Sequence, residues 1–273
     1  MNVLSGIDRN NHGHIQLEGL PNTRDLGGIP TKTGKHIAPR LLLRSGTLAP
    51  ATSSDISVLN DDYRMSCVID LRTEGERDRK PDPIHAFPNT RFVNIPVLNK
   101  RTMGITRNDP APAKDSVKEM SEKNSGMMVK IYKKMLLDDY SQQAFKRVFD
   151  ELANHDEGAV LWHCAVGKDR VGLTTVLLLL ALDVPDEVIL QDYLATNAFM
   201  KPLMQQMVYK FSSFAPSNKL LGGIKVLNMV DEQYLQIGLE AVTDEYGSLE
   251  TYLQEVLDVT PEKKRELQAK YLI

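Results

Sequence analysis

The sequence predicts an α/β fold, a mainly parallel central sheet flanked by helices, folded as one domain over residues 1–273. Three observations carry this. Short apolar runs with β-branched residues, bounded by polar or turn residues, occur at Leu41–Leu43, Cys67–Leu71, Phe92–Ile95 and Val160–Trp162, and their brevity marks buried strands. Segments with apolar residues at helical spacing lie between them, and strands alternating with helices favour a parallel sheet covered on both faces. The length, 273 residues, suits one large domain with a substantial core better than two independent ones.

Taken in order, Asp55–Tyr63 is a helix with Ile56 and Leu59 on one face, followed by the Cys67–Leu71 and Phe92–Ile95 strands. Asn99 to Ala113 contains Gly104 and the run Asn108-Asp109-Pro110-Ala111-Pro112, so it reads as a loop near the sheet's edge. Val129–Leu137 and Ala144–Leu152 return to helical spacing, the latter through Phe145, Val148, Phe149 and Leu152. The most apolar run, Val171 to Leu182, falls well short of the ~18 residues of a membrane span and reads as a buried helix. After Pro185 the pattern is almost wholly helical. Phe199, Leu203, Met204, Met207, Val208 and Phe211 make one apolar stripe there. Packing onto the core is the favoured reading, and a substrate lid over residues 199–225 is the alternative.

Composition excludes more than it identifies. A net charge of −3 gives no global attraction to nucleic acid or an anionic membrane. Two cysteines, Cys67 and Cys164, are too few for a disulfide framework and point to a reducing compartment. Met1 to Asn11 lacks a basic region followed by an apolar stretch, so no Sec-type signal is expected and a cytoplasmic location is the default, with export by another route left open.

The chemistry concentrates in His163-Cys164-Ala165-Val166-Gly167-Lys168-Asp169-Arg170. A strand precedes this segment and a helix follows, which places the turn at the carboxyl end of a strand, where open α/β sheets bind ligands. The N–H groups of residues 165 to 170 can then converge beside a helix N-terminus and cradle a dianionic phosphate. Gly167 permits the turn. Those dipoles and the cations Lys168 and Arg170 favour thiolate over thiol at Cys164, making it a nucleophile. The step from Cys164 to Arg170 returns a planar guanidinium to the same loop, where it can hold two phosphoryl oxygens into the transition state. Lys168 adds charge, and His163 is expected to orient the loop rather than act as base.

His163-Cys164-x5-Arg170 resembles the signature of protein-tyrosine and dual-specificity phosphatases, and its Gly167-Lys168-Asp169-Arg170 interior is similar to a bacterial branch of that family. Asn22-Thr23-Arg24-Asp25-Leu26-Gly27-Gly28, Leu43-Arg44-Ser45-Gly46, Asp70-Leu71-Arg72 with Glu76-Arg77, Asp192-Tyr193-Leu194-Ala195-Thr196-Asn197, and Tyr246-Gly247-Ser248 before Tyr252-Leu253 extend the similarity across nearly the whole chain. The resemblance implies a tyrosine-phosphatase fold, a phosphocysteine intermediate, no metal or other cofactor, and a broad substrate range that includes phosphotyrosine proteins and phosphoinositides. Inorganic phosphate is then product and inhibitor.

Around the loop, Cys67 reads as a small core residue rather than a redox partner of Cys164. Arg24-Asp25 and Arg44 read equally as an ion-paired buttress under the loop or as substrate contacts, and are placed behind the groups that meet the phosphate. The general acid has three candidates: Asp169 inside the loop, slightly favoured; Asp70, closing its strand at the same end of the sheet, or else paired with Arg72 or the loop arginine; and Asp109 third. After the arginine the family usually has Ser or Thr, whose hydroxyl helps the thiolate leave; here it is Val171. Slow dephosphorylation of the intermediate is expected, or replacement of that hydroxyl by Thr174 one helical turn on. Beside phosphotyrosine, phosphoserine and phosphothreonine hydrolysis, two further readings stand: a phosphoinositide phosphatase, and a phospho-ligand binding module of weak catalysis, favoured only by Val171. A rhodanese-like sulfurtransferase fits the Arg170 spacing and the Lys-Asp interior less well.

Overall fold

A computed structural model describes residues 8–99, 117–212 and 229–273. Five strands form one sheet: β1 Arg24–Asp25, β2 Leu42–Ser45, β3 Met65–Asp70, β4 Arg91–Asn94 and β5 Ala159–His163, in the order β1-β2-β5-β3-β4. Only β1 runs antiparallel; β2, β5, β3 and β4 are parallel neighbours. The four strands expected from apolar runs are present with ends shifted by a residue or two. β1 is too short and too polar to announce itself: it is buried by its partners rather than by its own hydrophobicity.

The period-2 alternation of the strands sorts residues onto two faces. Cys67, Ile69, Val160 and Trp162 enter the larger apolar cluster, whereas Met65, Val68, Ala159 and Leu161 enter the smaller one. The larger cluster lies under the helices α3 Val117–Leu137, α4 Asp139–Ala153, α5 Asp169–Ala181, α6 Asp186–Ser212, α7 Glu232–Tyr246 and α8 Pro261–Tyr271. The smaller is covered by Leu48, Leu59, Phe87 and Ile56, around a short helix at Ser53–Ser57 that continues as a π turn through Val58–Asp62. Thr52 and Asp55 form a reciprocal capping box at that helix start.

α4 begins where Asp138 accepts from the Tyr140 N–H and turns Phe145, Val148, Phe149 and Leu152 inward. α5 is buried along nearly its whole length, as its leucines demand, and the Trp162 indole donates to Thr175 Oγ1 at 3.1 Å, fastening it to β5. Of the apolar stripe on α6, Phe199 packs by stacking on His14 with ring centroids 4.4 Å apart and by receiving the Arg24 guanidinium on its face, 5.4 Å from the centroid. Leu203 is exposed. The side chains of Met204, Met207, Val208 and Phe211, residues 213–225 of the lid alternative, and residues 100–113 of the expected loop, Asp109 among them, all lie outside the described residues.

Candidate active site

β5 occupies the centre of the parallel sheet, between β2 and β3. Its last residue, His163, pairs in register with Asp70 and Ser45, so the loop that follows emerges among the carboxyl ends of three strands. Cys164 is buried there, and the Gly167 N–H points at its sulfur from 3.3 Å. Gly167 has φ +78°, and an added Cβ would fall 2.7 Å from the backbone of Ser45 and Gly46. The turn and the close approach to β2 both require glycine. Lys168 caps α5, and Asp169 is its first residue, which sets the helix's positive end beside the sulfur.

Arg170 returns to the loop as expected, but its orientation comes from a residue far away in sequence. On α2 (Glu74–Arg79), which a Thr73–Glu76 capping box starts, the Glu76 carboxylate takes both Nη atoms of Arg170 end-on at 2.7 Å. The Leu71 carbonyl takes a longer contact at 3.5 Å. Nε–H and one Nη2–H remain, and they form the side edge that suits two phosphoryl oxygens. Burial alone would lower the Arg170 pKa and raise that of Glu76. The charges of Cys164, Glu76 and Asp169 overcome the first and hold Arg170 above its ordinary value. Arg170 and the Thr73 bonds overcome the second and hold Glu76 at about 2.

Below the loop, Asn22 Nδ2 donates to the Gly167 carbonyl at 2.9 Å and Arg44 Nη2 does so at 3.3 Å. Arg44 and Arg24 are both ion-paired to Asp192 on α6, Arg24 through Nη1 at 3.0 Å, and Thr196 Oγ1 accepts from Arg24 Nη2 at 2.9 Å. All three charged groups are buried. Burial, and then the neighbouring Arg44, lower Arg24 to about 9; Asp192 is held below the carboxylate range because the arginines outweigh the cost of burial. Both arginines under the loop thus share the one carboxylate of Asp192. Arg24 pairs with Asp192, not with Asp25, whose carboxylate instead accepts the Gly27 and Arg40 N–H groups. Burial pushes Asp25 up to about 6, against the Gly27 and Arg40 N–H groups and the charges of Arg9 and Arg40 that lower it.

Asp70, the second candidate acid, is ion-paired. Arg72 holds both its oxygens, from Nε at 2.9 and 3.1 Å and from Nη2 at 2.8 Å. That is the paired alternative. The same guanidinium reaches Asp82 at 2.5 Å, and His163 Nε2 lies 3.2 Å from Asp82 while Nδ1 is 3.3 Å from the Cys164 carbonyl. Asp70, Asp82 and His163 bring ligand atoms within 4.8 Å of one another, but the Arg72 guanidinium already supplies the cation between the two carboxylates. His163 thus sits between Asp82 and the Cys164 carbonyl.

Asp169 stays at the loop. Tyr132 of α3 donates to its Oδ1 at 2.9 Å, and Lys168 Nζ lies 3.3 Å from Oδ2 while donating to the Met229 carbonyl at 3.2 Å. Lys168 is therefore tied to the candidate acid rather than extended freely over the phosphate site. Thr174 spends its hydroxyl proton on the Arg170 carbonyl at 2.8 Å, and Val171 is fully buried. Cys67 is buried in β3, beside Val160 at the start of the neighbouring strand rather than beside Cys164, and burial raises its thiol to about 11. A cavity of about 580 Å³ opens against Ala165 and Val166, walled by Thr47, Arg72, Glu76, Arg79 and Lys80. Sequence reasoning assigned no role to Glu76, Asp192, Asn22, Asp82 or Tyr132. Glu76, Asp192 and Asn22 sit in motifs that carry the resemblance; nothing local marked Asp82 or Tyr132.

A buried cysteine in a strand–loop–helix turn, with an arginine clamped beside it, defines the cysteine-dependent phosphatases as a class. The chain belongs to the tyrosine phosphatase family, whose sequence profile it matches over residues 15–273. It is 26% identical over 247 residues to a Cupriavidus necator protein named as a tyrosine-protein phosphatase, covering 90% of this chain and 84% of that one. It is 28% identical over 269 residues to the triple specificity protein phosphatase PtpB of Mycobacterium tuberculosis, covering 88% and 92%. Among solved structures, P. aeruginosa TpbA in complex with pTyr matches at 12% identity over 71% of this chain and 90% of that one, with a TM-score of 0.29, a likeness too distant to bear on the assignment. The protein is a phosphatase, a phosphoric monoester hydrolase. Among the described residues no helix is long and apolar enough to cross a membrane.

Proposed function

We propose that this single-domain phosphatase hydrolyses phosphotyrosine, with phosphoserine and phosphothreonine as further substrates, through Cys164. The Cys164 sulfur attacks phosphorus in line with the leaving oxygen. As the P–O bond breaks, Asp169 gives its proton to that oxygen, leaving a phosphocysteine. Water then attacks phosphorus, its proton passes to the Asp169 carboxylate, and the S–P bond breaks to release phosphate and the thiolate. The Nε–Nη2 edge of Arg170 and the loop N–H groups hold the equatorial oxygens throughout. The observation that carries this reading is the clamped Arg170 above a loop whose Gly167 N–H addresses the sulfur.

Lys168, set against Asp169, tunes the acid as well as the local field, and His163, Arg24, Arg44 and Asn22 keep the loop in shape. A second reading, phosphoinositide hydrolysis, is favoured by Arg79 and Lys80, exposed cations on the cavity wall beside the loop that suit a polyanionic headgroup. Two free cysteines on separate elements suit work in the reducing cytoplasm. Turnover of para-nitrophenyl phosphate that is competed by inorganic phosphate or vanadate and abolished in Cys164→Ser is the expected result. Undiminished turnover in that variant overturns the nucleophile assignment, and a comparison of phosphotyrosine peptides with phosphoinositides ranks the two substrate readings.

A further inference from the structure

Asp169 differs from the other carboxylates near the loop in how it is held. Asp70, Asp82 and Glu76 are held by guanidinium groups; Asp169 Oδ1 is held by a phenol. Tyr132 is fully buried, and its hydroxyl meets Asp169 Oδ1 at 2.9 Å and the Tyr193 hydroxyl at 2.7 Å. Each phenol has one proton. Since Tyr132 gives its own to Asp169, Tyr193 must donate to Tyr132, and the 3.4 Å contact from Tyr193 to the Asp231 carbonyl is the lesser one. The result is a directed chain from Tyr193 through Tyr132 to one oxygen of the carboxyl group.

Packing fixes this chain. Gly172 lets the Tyr193 ring lie on α5, where an added Cβ would stand 3.2 Å from it. The Tyr132 ring packs against Tyr234 with centroids 5.9 Å apart. Burial first, and then the charge of Asp169, push both phenols above their ordinary range, so they stay protonated donors wherever the enzyme works. The other charged groups facing Asp169 are Lys168, 3.3 Å from Oδ2, and Arg170, with Asp231 beyond Tyr193.

Building on the assignment of Asp169 as general acid, we propose that Tyr132, backed by Tyr193, is a positioning residue that saturates Oδ1 and so directs the transferable proton to Oδ2, the oxygen beside Lys168. A donor on Oδ1 also favours the ionised carboxylate that must accept a proton from water in the second half of the cycle.

The test compares wild type with Tyr132→Phe and Tyr193→Phe, which keep ring volume, and with Asp169→Asn. Tyr132→Phe should lower kcat/KM for a phosphoserine peptide, whose leaving group needs the proton, by about tenfold, while para-nitrophenyl phosphate changes by less than about twofold. The alkaline limb of the pH profile should move to higher pH, because the ionised carboxylate has lost a donor, and Tyr193→Phe should do the same to a smaller extent. Equal losses on both substrates, no loss on either, or an unmoved limb overturns the inference. If Tyr132→Phe melts too low to assay, the same criteria apply to Tyr193→Phe. Asymmetry in Asp169→Asn with none in the tyrosine variants sinks this inference alone, whereas no asymmetry in Asp169→Asn sinks the acid assignment beneath it.

Discussion

Glu76→Gln tests the clamp on Arg170 most directly. The carboxylate is held at about 2 against its ordinary 4.5, a depression worth about 3 kcal/mol of native stability if fully expressed. The Glu76 side chain keeps 19% of its surface in solvent, so screening brings the expected value to roughly 1–2 kcal/mol. Because the folded pKa is depressed, this stability is fully present above about pH 4.5 and drains away as pH falls toward about 2. Glutamine preserves one acceptor oxygen but turns an amide N–H toward the second Nη, so Arg170 loses its end-on geometry. Turnover of para-nitrophenyl phosphate should fall by roughly 10- to 100-fold. Urea unfolding of both proteins at pH 7, 5 and 3 reads the stability arm. A gap of roughly 1–2 kcal/mol at pH 7 and 5 that shrinks at pH 3 is expected. A gap absent at pH 7, or undiminished at pH 3, refutes the reasoning.

Three other changes probe the remaining parts. Asp169→Asn should slow a poor leaving group far more than para-nitrophenyl phosphate, whereas Asp70→Asn, by taking one of its two carboxylates from buried Arg72, should appear mainly as lost stability; the reverse pattern in steady-state kinetics and melting would exchange their roles. Asp192→Asn leaves Arg24 and Arg44 buried without a carboxylate and should cost about 3–5 kcal/mol in urea unfolding, and a loss below about 1 kcal/mol would argue against the buttress. With Val171 in place of a hydroxyl, rapid-mixing assays on an aryl phosphate should show a burst; no burst, with unchanged turnover in Thr174→Ala, would remove both accounts of how the intermediate breaks down.

The parts of the site that lie close together in sequence were legible there. Cys164, Gly167 and Arg170 act through one turn, so their spacing alone states the geometry: backbone N–H groups, helix end and guanidinium converge because six residues allow little else. The buried strands were equally plain, since β3 and β5 are covered on both faces and so read as continuous apolar runs. Tertiary structure decided which charge meets which. Arg170 finds Glu76 at a separation of 94 residues, and Arg24 finds Asp192 at 168; with 33 Lys and Arg against 36 Asp and Glu, no local pattern selects those pairs. For Asp70 the sequence left a donor and a partner of Arg72 open, because its place at a strand end was visible and the direction of the Arg72 guanidinium was not. Sequence specifies chemistry carried by neighbours along the chain; ion pairing and the aim of a proton depend on orientation across the core, which only packing fixes.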